Sequence, residues 1–484
     1  IRRDRLAVLA TAGMPAYPVL VPRTAALPTV LEHAGDEMVS VAGRIDALRD
    51  FGGVCFAVVV GEGAALQLVL DRSRMGEKST TLWRRAVDRG DIVSATGTMG
   101  RSRSGERSLL VSDWAMASKS LRPLPSRRTG LIDPETRVRN RSVDLIVNPE
   151  SSAMLAARST AVSALRNAFS ARGFDEVETP ILQNVHGGAT ARPFTTHINA
   201  YDRELNLRIA PELFLKRLVV GGTGPIFEIG RNFRNEGADA THNPEFTSLE
   251  AYLPYADYRT MQTITADVIR EVAVAVHGSP IALRPRESGD LESIDLALPW
   301  AAVGVHAAVS GACGTEIDPS TSAEQLQHIA VQHRVPAHEG MSAGEIVMDL
   351  YDHLVEPATV APTFYYDFPV ETSPLARTHR TDPRLSERWD LVAFGMEIGT
   401  AYSELADPIE QRARLTEQSL RAAAGDEEAM EIDEEFLAAL ELGMPPTGGL
   451  GLGVDRLVMM LTGMPIRSVL AFPFVRPLDG ARRP

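Results

Sequence analysis

Between residue 38 and about residue 118, apolar and polar positions alternate with a period of two, the pattern of strands that bury one face. The clearest segments are 39–47, 55–60, 66–70, 92–97 and 108–113, and residues 80–89 read as a helix. Gly52, Gly53, Gly61, Gly63 and the loop at 101–105 separate them. Five short strands and one helix predict a small Greek-key barrel of the oligonucleotide-binding kind, although periodicity alone fits any small β-barrel. Prolines and arginines at 121–128 read as a linker. A helical period follows, with Met154, Leu155, Val162, Leu165 and Phe169 on one face, Ser151 or Ser152 as its cap and Gly173 as its stop. Residues 176–180 read as a short strand stopped by Pro180, and mixed strands and helices continue to the end. The segment 279–290 reads as irregular and 425–435 as an acidic, solvated loop. The expected organisation is a barrel at 1–120, a linker at 121–150 and an α+β body at 151–484.

Composition narrows the choice of partner and compartment. At 44% hydrophobic and 23% charged, the chain has the make-up of a globular protein. No apolar run is long enough to span a membrane. Cys55 and Cys313 lie far apart, which excludes a disulfide framework or a zinc site built on thiolates and suits a reducing, cytoplasmic setting. The formal charge of −14 argues against a nucleic-acid partner until it is divided along the chain. Residues 1–145 carry 22 Lys and Arg against 16 Asp and Glu, a net +6, which leaves −20 for the rest. A basic front on an acidic body suggests a polyanion-binding module joined to something else; an ordinary arginine-rich surface is the other reading. The chain starts at Ile1 with no signal-peptide pattern, as expected of a piece of a longer protein.

Three stretches carry chemistry. In the first, Arg208-Ile209-Ala210-Pro211-Glu212-Leu213 precedes a strand at 227–233 that runs into a loop presenting Arg234 and Glu236. His242-Asn243-Pro244-Glu245-Phe246 then leads into a return strand on which Glu250 and Tyr252 share a face. A guanidinium fork suits a phosphate or carboxylate, an aromatic ring suits a purine, and buried carboxylates suit an ammonium ion. Surface ion pairs on a hairpin would explain any one of these residues but not the set. The second stretch, 388–404, sets Asp390, Glu397 and Glu404 seven residues apart in what reads as extended chain. Paired hard carboxylates are what Mg²⁺ on a nucleotide requires, although a single acid is more often a solvated charge. The third, Thr447 to Met460, is a glycine run followed by Arg456 at the start of an apolar helix, whose amino end favours anions. It has neither a Walker lysine nor Rossmann spacing.

Together these stretches resemble the three signature motifs of class II aminoacyl-tRNA synthetases: 174–180 the first, 227–252 the second and 448–461 the third. The runs Gly187-Gly188-Ala189-Thr190-Ala191-Arg192-Pro193-Phe194 and 210–220 (APELFLKRLVV) narrow the resemblance to lysyl enzymes of the lysine, aspartate and asparagine subgroup. The resemblance covers nearly the whole chain. It implies an antiparallel sheet flanked by helices, a homodimer formed through the first motif, and an anticodon-binding OB-fold at the front. It further implies activation of L-lysine with ATP and transfer of the product to tRNA(Lys). By resemblance, Arg234 meets the α-phosphate and the lysine carboxylate, while Glu236, His242, Asn243 and Phe246 hold ATP. Arg456 grips the γ-phosphate, and Asp390 and Glu397 bind Mg²⁺. Gly188 and Glu212 receive the α-ammonium of lysine; Tyr252 and Glu404 receive the ε-ammonium, with Glu250 nearby. Tyr402 and Gly451 complete the pocket. In the barrel, Phe56 and Glu106 match positions that meet anticodon bases. Such chemistry needs no protein nucleophile, only positioning and cationic stabilisation by Arg234, Arg456 and Mg²⁺. Selectivity is expected because a neutral analogue would leave Glu404 buried and unpaired.

Two positions depart from the family pattern. Asp390 stands where glutamate is usual, and Thr400 stands where asparagine helps hold the lysine carboxylate, so weaker or altered activation is expected. The Ile1 start and a total of three lysines (Lys78, Lys119 and Lys216) add to this. On these grounds the chain is similar to the synthetase half of actinobacterial bifunctional proteins that make lysyl-phosphatidylglycerol. There a membrane-embedded transferase domain precedes the synthetase and consumes its product, so the full-length protein would be anchored in a membrane. A housekeeping lysyl-tRNA synthetase and a catalytically silent RNA-binding relative are the other readings. A relative that lysylates an elongation factor would lack the front barrel.

Overall fold

The alternation near the start of the chain closes into a five-stranded barrel, in the order Met38–Asp50, Val54–Gly61, Ala64–Asp71, Arg107–Ser118 and Ile92–Arg101. Cys55, Ala57 and Val59 point inward from one strand and Leu66, Leu68 and Leu70 from the next. The helix Glu77–Ala86 adds Trp83, whose ring meets Trp114 edge to face at 4.9 Å. The register slips between Thr96 and Gly97, where a Cβ would run into the Leu110 carbonyl, so only glycine fits this bulge.

The computed structural model describes residues 1–32, 37–126, 130–286, 288–338, 340–423 and 429–476. It divides into two compact units, Ile1–Asp133 and Pro134–Pro484. Part of the expected linker at 121–150 belongs to the second unit, where Pro134–Arg139 and Arg141–Val147 are short helices; residues 127–129 lie outside the described residues.

The second unit is built on an eight-stranded sheet. Its order is Ala301–Gly304, Thr363–Tyr366, Arg388–Ala393, Met396–Ser403, Thr447–Gly453, Glu245–Pro254, Ile226–Phe233 and Asp175–Glu176. Neighbours are antiparallel except for the outermost pair at each edge. The helices Pro149–Ala171 and Tyr258–His277 cover one face, where Phe169 stacks on Phe227 at 5.4 Å. Leu249, Ala251, Leu450 and Leu452 point into that core.

Four local expectations change. The first long helix begins at Pro149, with Asn148 at its N-cap, because proline at the first helical position is already set to a helical φ. Ser151 instead accepts a hydrogen bond from Arg137 Nη2 at 2.8 Å. The strand expected at 176–180 is confined to Asp175–Glu176. The irregular segment at 279–290 holds the strand Ile281–Pro285, paired with Leu291–Asp295. In the acidic loop, residues 424–428 lie outside the described residues, and Asp433 is buried as the cap of the helix Glu434–Leu440, with no solvated role.

One buried cation ties the barrel together. Lys119 Nζ lies 2.7 Å from the Ala86 carbonyl, from Asp88 and from Asp91. Lys119→Met should destabilise the first unit by about 3–5 kcal/mol, since it leaves the buried Asp91 carboxylate without its counter-ion; its denaturant midpoint reads this directly.

Candidate active site

On the sheet face away from the long helices, alternation brings Glu250, Tyr252, Thr400, Tyr402, Gly449 and Gly451 to the wall of a cleft of about 420 Å³. That volume is ordinary for a small-molecule site. The strand Thr447–Gly453 places glycine at 449, 451 and 453, on the cleft side, and leucine at 450 and 452, on the core side. A Cβ at Gly449 would strike the Glu404 carboxylate, so glycine here is what lets that acid lie against the strand. Gly188 has φ +88°, and a Cβ there would come within 2.9 Å of the Glu212 Cβ.

One end of the cleft is acidic. Glu212 opens the helix Glu212–Val220, and Lys216 follows one turn later on the same side. Lys216 Nζ is fully buried, 2.6 Å from Glu212 Oε1 and 2.5 Å from Glu404 Oε2. Burial disfavours its ammonium form, but Glu212 and Glu404 outweigh burial and hold its pKa above the usual lysine value. Tyr252 Oη donates to Glu250 Oε2 at 3.3 Å. Burial, with the Glu212 charge next, pushes the Glu250 carboxyl up to about 8. Burial also raises the Glu404 carboxyl, and Lys216 opposes that rise. Glu228, close behind, is already matched by Arg208 at 2.5 Å. Among the described residues, then, one cation, Lys216, forms ion pairs with Glu212 and Glu404, and none forms an ion pair with Glu250. The expectation that Glu404 has no partner without a ligand is corrected: Lys216 is its partner.

The other end is cationic. Arg234 is half-buried, its guanidinium 5.0 Å from the centre of the Phe246 ring, and its Nε is buried without a hydrogen-bond partner among the described residues. Arg456 opens the helix Val454–Thr462 and donates from Nη1 to the Glu397 carbonyl at 2.9 Å. Its Nη2 lies 3.0 Å from His242 Nε2, while His242 Nδ1 lies 2.9 Å from Asp239 Oδ2. Asp239 therefore favours the tautomer in which Nδ1 carries the proton and Nε2 accepts from Arg456. Asp455, next to Arg456, is clamped by Arg158 at 2.5 Å and by the Thr247 backbone N–H at 2.9 Å. Asn243 Oδ1 accepts from the Phe474 backbone N–H at 2.9 Å, and Glu236 is exposed at the rim.

Asp390 and Glu397 do not lie along one extended strand. The chain turns at Phe394 and Gly395, both with positive φ, and pairs Asp390 with Thr400. The Asp390 carboxylate takes both prongs of the Arg388 fork, at 2.9 and 2.7 Å, and the Thr400 hydroxyl at 2.6 Å. Glu397 receives no side-chain hydrogen bond from any described residue. Burial, with Asp390 beside it, raises its carboxyl pKa. Its backbone N–H is held by Glu356 Oε1 at 3.0 Å.

An acidic pocket, which suits ammonium groups, is joined to a cationic one, which suits phosphate, and amino-acid activation handles both kinds of charge. The family model for class II tRNA synthetases (D, K and N) matches residues 133–476, and one for an OB-fold nucleic-acid-binding domain matches 39–116. The chain belongs to the class II tRNA synthetases. The synthetase is 53% identical over 477 residues to the lysylphosphatidylglycerol biosynthesis bifunctional protein of Mycobacterium avium (strain 104), covering 99% of this chain and 40% of that protein. The proteins of the same name from Nocardia farcinica (strain IFM 10152) and Gordonia bronchialis are 53% and 51% identical, each across 99% of this chain and 42% of the relative. The chain thus spans about two fifths of the length of the relatives it matches. No helix among the described residues is long and apolar enough to cross a membrane.

The synthetase cleft gathers every cleft residue expected from the sequence: Gly188, Glu212, Arg234, Glu236, His242, Asn243, Phe246, Glu250, Tyr252, Glu397, Thr400, Tyr402, Glu404, Gly451 and Arg456 line it. Asp390 stands just behind, held by two lining residues, Arg388 and Thr400. Phe56 and Glu106 belong to the barrel; Phe56 is half-buried on its outer side and Glu106 is exposed. Sequence reasoning missed Lys216, Asp239, Arg388 and Gly449. The four-residue spacing of Glu212 and Lys216 was a usable signal for the first. Gly449→Ala should displace Glu404 and weaken amino-acid binding by about tenfold or more while leaving the KM for ATP in place; pyrophosphate exchange with each substrate varied in turn checks this.

Proposed function

We propose that this synthetase activates L-lysine with ATP and loads it onto tRNA(Lys), and that in the full-length protein the product supplies lysylphosphatidylglycerol synthesis. The charge balance at the acidic end carries the choice of amino acid. Three carboxylates lie together and Lys216 is the one ammonium paired with them, so two negative charges exceed that ammonium once all are ionised. A diamino acid brings two ammonium groups to meet them. An aspartate side chain would add a further negative charge, and asparagine would supply only one ammonium. Glu212 beside Gly188 suits the α-ammonium, and Glu404 with Glu250 and Tyr252 suits the ε-ammonium. Because Glu404 already has Lys216, discrimination against neutral side chains falls mainly on Glu250, whose carboxyl burial pushes up to about 8 in the empty pocket.

In this reading the lysine carboxylate attacks the α-phosphorus in line, pyrophosphate leaves, and the terminal ribose hydroxyl of tRNA then displaces AMP from the adenylate. The buried, unpartnered Nε of Arg234 supplies a donor for the α-phosphate, and its guanidinium neutralises charge developing there. Arg456, oriented by His242 and the Glu397 carbonyl, meets the γ-phosphate. Arg234 covers one face of Phe246 and leaves the other for the purine, while Asn243 and Glu236 border the same end. Glu397 would hold magnesium, which when bound neutralises charge on the triphosphate, while Asp390, committed to Arg388 and Thr400, stands behind it. Residues 174–180 would serve the homodimer, and Phe56 and Glu106 the anticodon. The lipid-linked fate rests on the name of the relatives and on their additional length, which would supply a transferase domain and membrane anchoring.

Lysine-dependent ATP–pyrophosphate exchange, with aspartate, asparagine and ornithine as controls, tests the proposal; exchange that ignores lysine sinks it. Arg234→Ala should lower exchange by at least about a hundredfold, with an unchanged melting profile. The Glu250 carboxyl also gives a pH signature. It is protonated in the empty pocket below about 8 and must lose that proton to meet an ammonium, so lysine binding releases a proton. The KM for lysine should therefore fall as pH rises from about 6.5 to about 8.5, by up to tenfold per unit, and Glu250→Gln should flatten the slope.

A further inference from the structure

The barrel carries a second exposed ring that the synthetase reading leaves without a task. Phe51 lies in the turn between Met38–Asp50 and Val54–Gly61 and is 71% exposed, so packing does not account for it. Its ring centre is 5.8 Å from that of Phe56, with the two planes at 81°. The turn beneath it is firmly held. The Phe51 N–H donates to the Val54 carbonyl at 3.0 Å, and the Gly52 N–H donates to Asp50 Oδ1 at 2.9 Å. From the neighbouring helix, Arg84 donates to the Gly52 carbonyl and to Cys55 Sγ and pairs with Asp50 at 3.0 Å. The backbone is fixed and the ring stands free, which is how a binding surface avoids an ordering cost.

Two exposed arginines lie on neighbouring segments. Arg49 sits directly across from Phe56 in the strand register and is exposed. Arg72 is exposed too; its backbone N–H donates to the Gly53 carbonyl at 3.3 Å and its guanidinium lies 3.7 Å from Glu77, a loose surface pair that leaves donors over. Exposed rings interleaved with guanidinium groups suit single-stranded nucleic acid, in which bases stack on the rings and phosphates meet the cations.

We propose that Phe51 is a second stacking platform, so that Phe51 and Phe56 take two neighbouring unpaired bases of the tRNA anticodon loop. Because the rings are nearly perpendicular, those bases are splayed away from one another and not stacked together, as single-stranded RNA loops permit. This rests on the barrel being the anticodon-binding module. Aminoacylation with full-length tRNA(Lys) tests both levels. Phe51→Ala should raise the KM for tRNA by about tenfold with kcat held, Phe51→Leu should not restore it, and Phe51→Trp should. The introduced tryptophan should also lose fluorescence when tRNA is added, a change that a purely structural role would not produce. If Phe56→Ala raises the KM but Phe51→Ala does not, the second platform is overturned while the anticodon reading stands. If neither variant changes the KM, the anticodon reading fails and the proposal fails with it.

Discussion

The ammonium of Lys216 holds Glu212 and Glu404 side by side inside the protein, and the acidic end of the cleft depends on it. Each buried ion costs several kcal/mol in lost hydration, so three neighbouring carboxylates could not share this space without an internal counter-ion. Lys216 comes from the same helix as Glu212, one turn on, so half of the arrangement is local. The other half is not: Glu404 arrives at the end of a sheet strand and fits only because Gly449 has no side chain. With one fixed cation among three acids, the pocket is poised for added positive charge, which is the physical basis for reading it as a site for a diamino acid.

The two departures from the family pattern meet in space. Asp390 and Thr400 face each other across adjacent strands, and the Thr400 hydroxyl donates to the Asp390 carboxylate at 2.6 Å. A shorter acid and a shorter donor therefore form one local unit, completed by the Arg388 fork. The consequence is a division of labour between the two acids near the phosphate end: Asp390 is engaged within the protein, whereas the Glu397 carboxylate is left for a ligand.

Period-two alternation explains why the catalytic face is rich in polar groups and glycine without weakening the core. In the strands Glu245–Pro254 and Thr447–Gly453, Leu249, Ala251, Leu450 and Leu452 lie under the long helices, so the intervening positions are free for Glu250, Tyr252 and the glycines. The barrel uses the same rule. Its inward residues make a separate core, and its outward positions carry Phe56 and arginines such as Arg49.

What the sequence determined by itself was whatever depends on neighbours along the chain. The five barrel strands, the alternating hairpin from Ile226 to Pro254 and the motif residues Arg234, Glu250, Glu404 and Arg456 were legible, because side-chain period and residue type are local properties. The start of the helix at Pro149 was also local, but there the preference of proline for the first helical position outweighed a plausible serine cap. Tertiary structure alone decided the turn that folds Asp390 back toward Thr400, the burial of Asp433, the pairing of Lys216 with Glu404, and the line from Asp239 through His242 to Arg456. In each of these, the partners are joined by sheet pairing or a loop turn, and their charges acquire their values only after burial removes water. A linear pattern can name the acids and bases of this site, but which charge neutralises which is settled by distance and dielectric, and those exist only once the chain has folded.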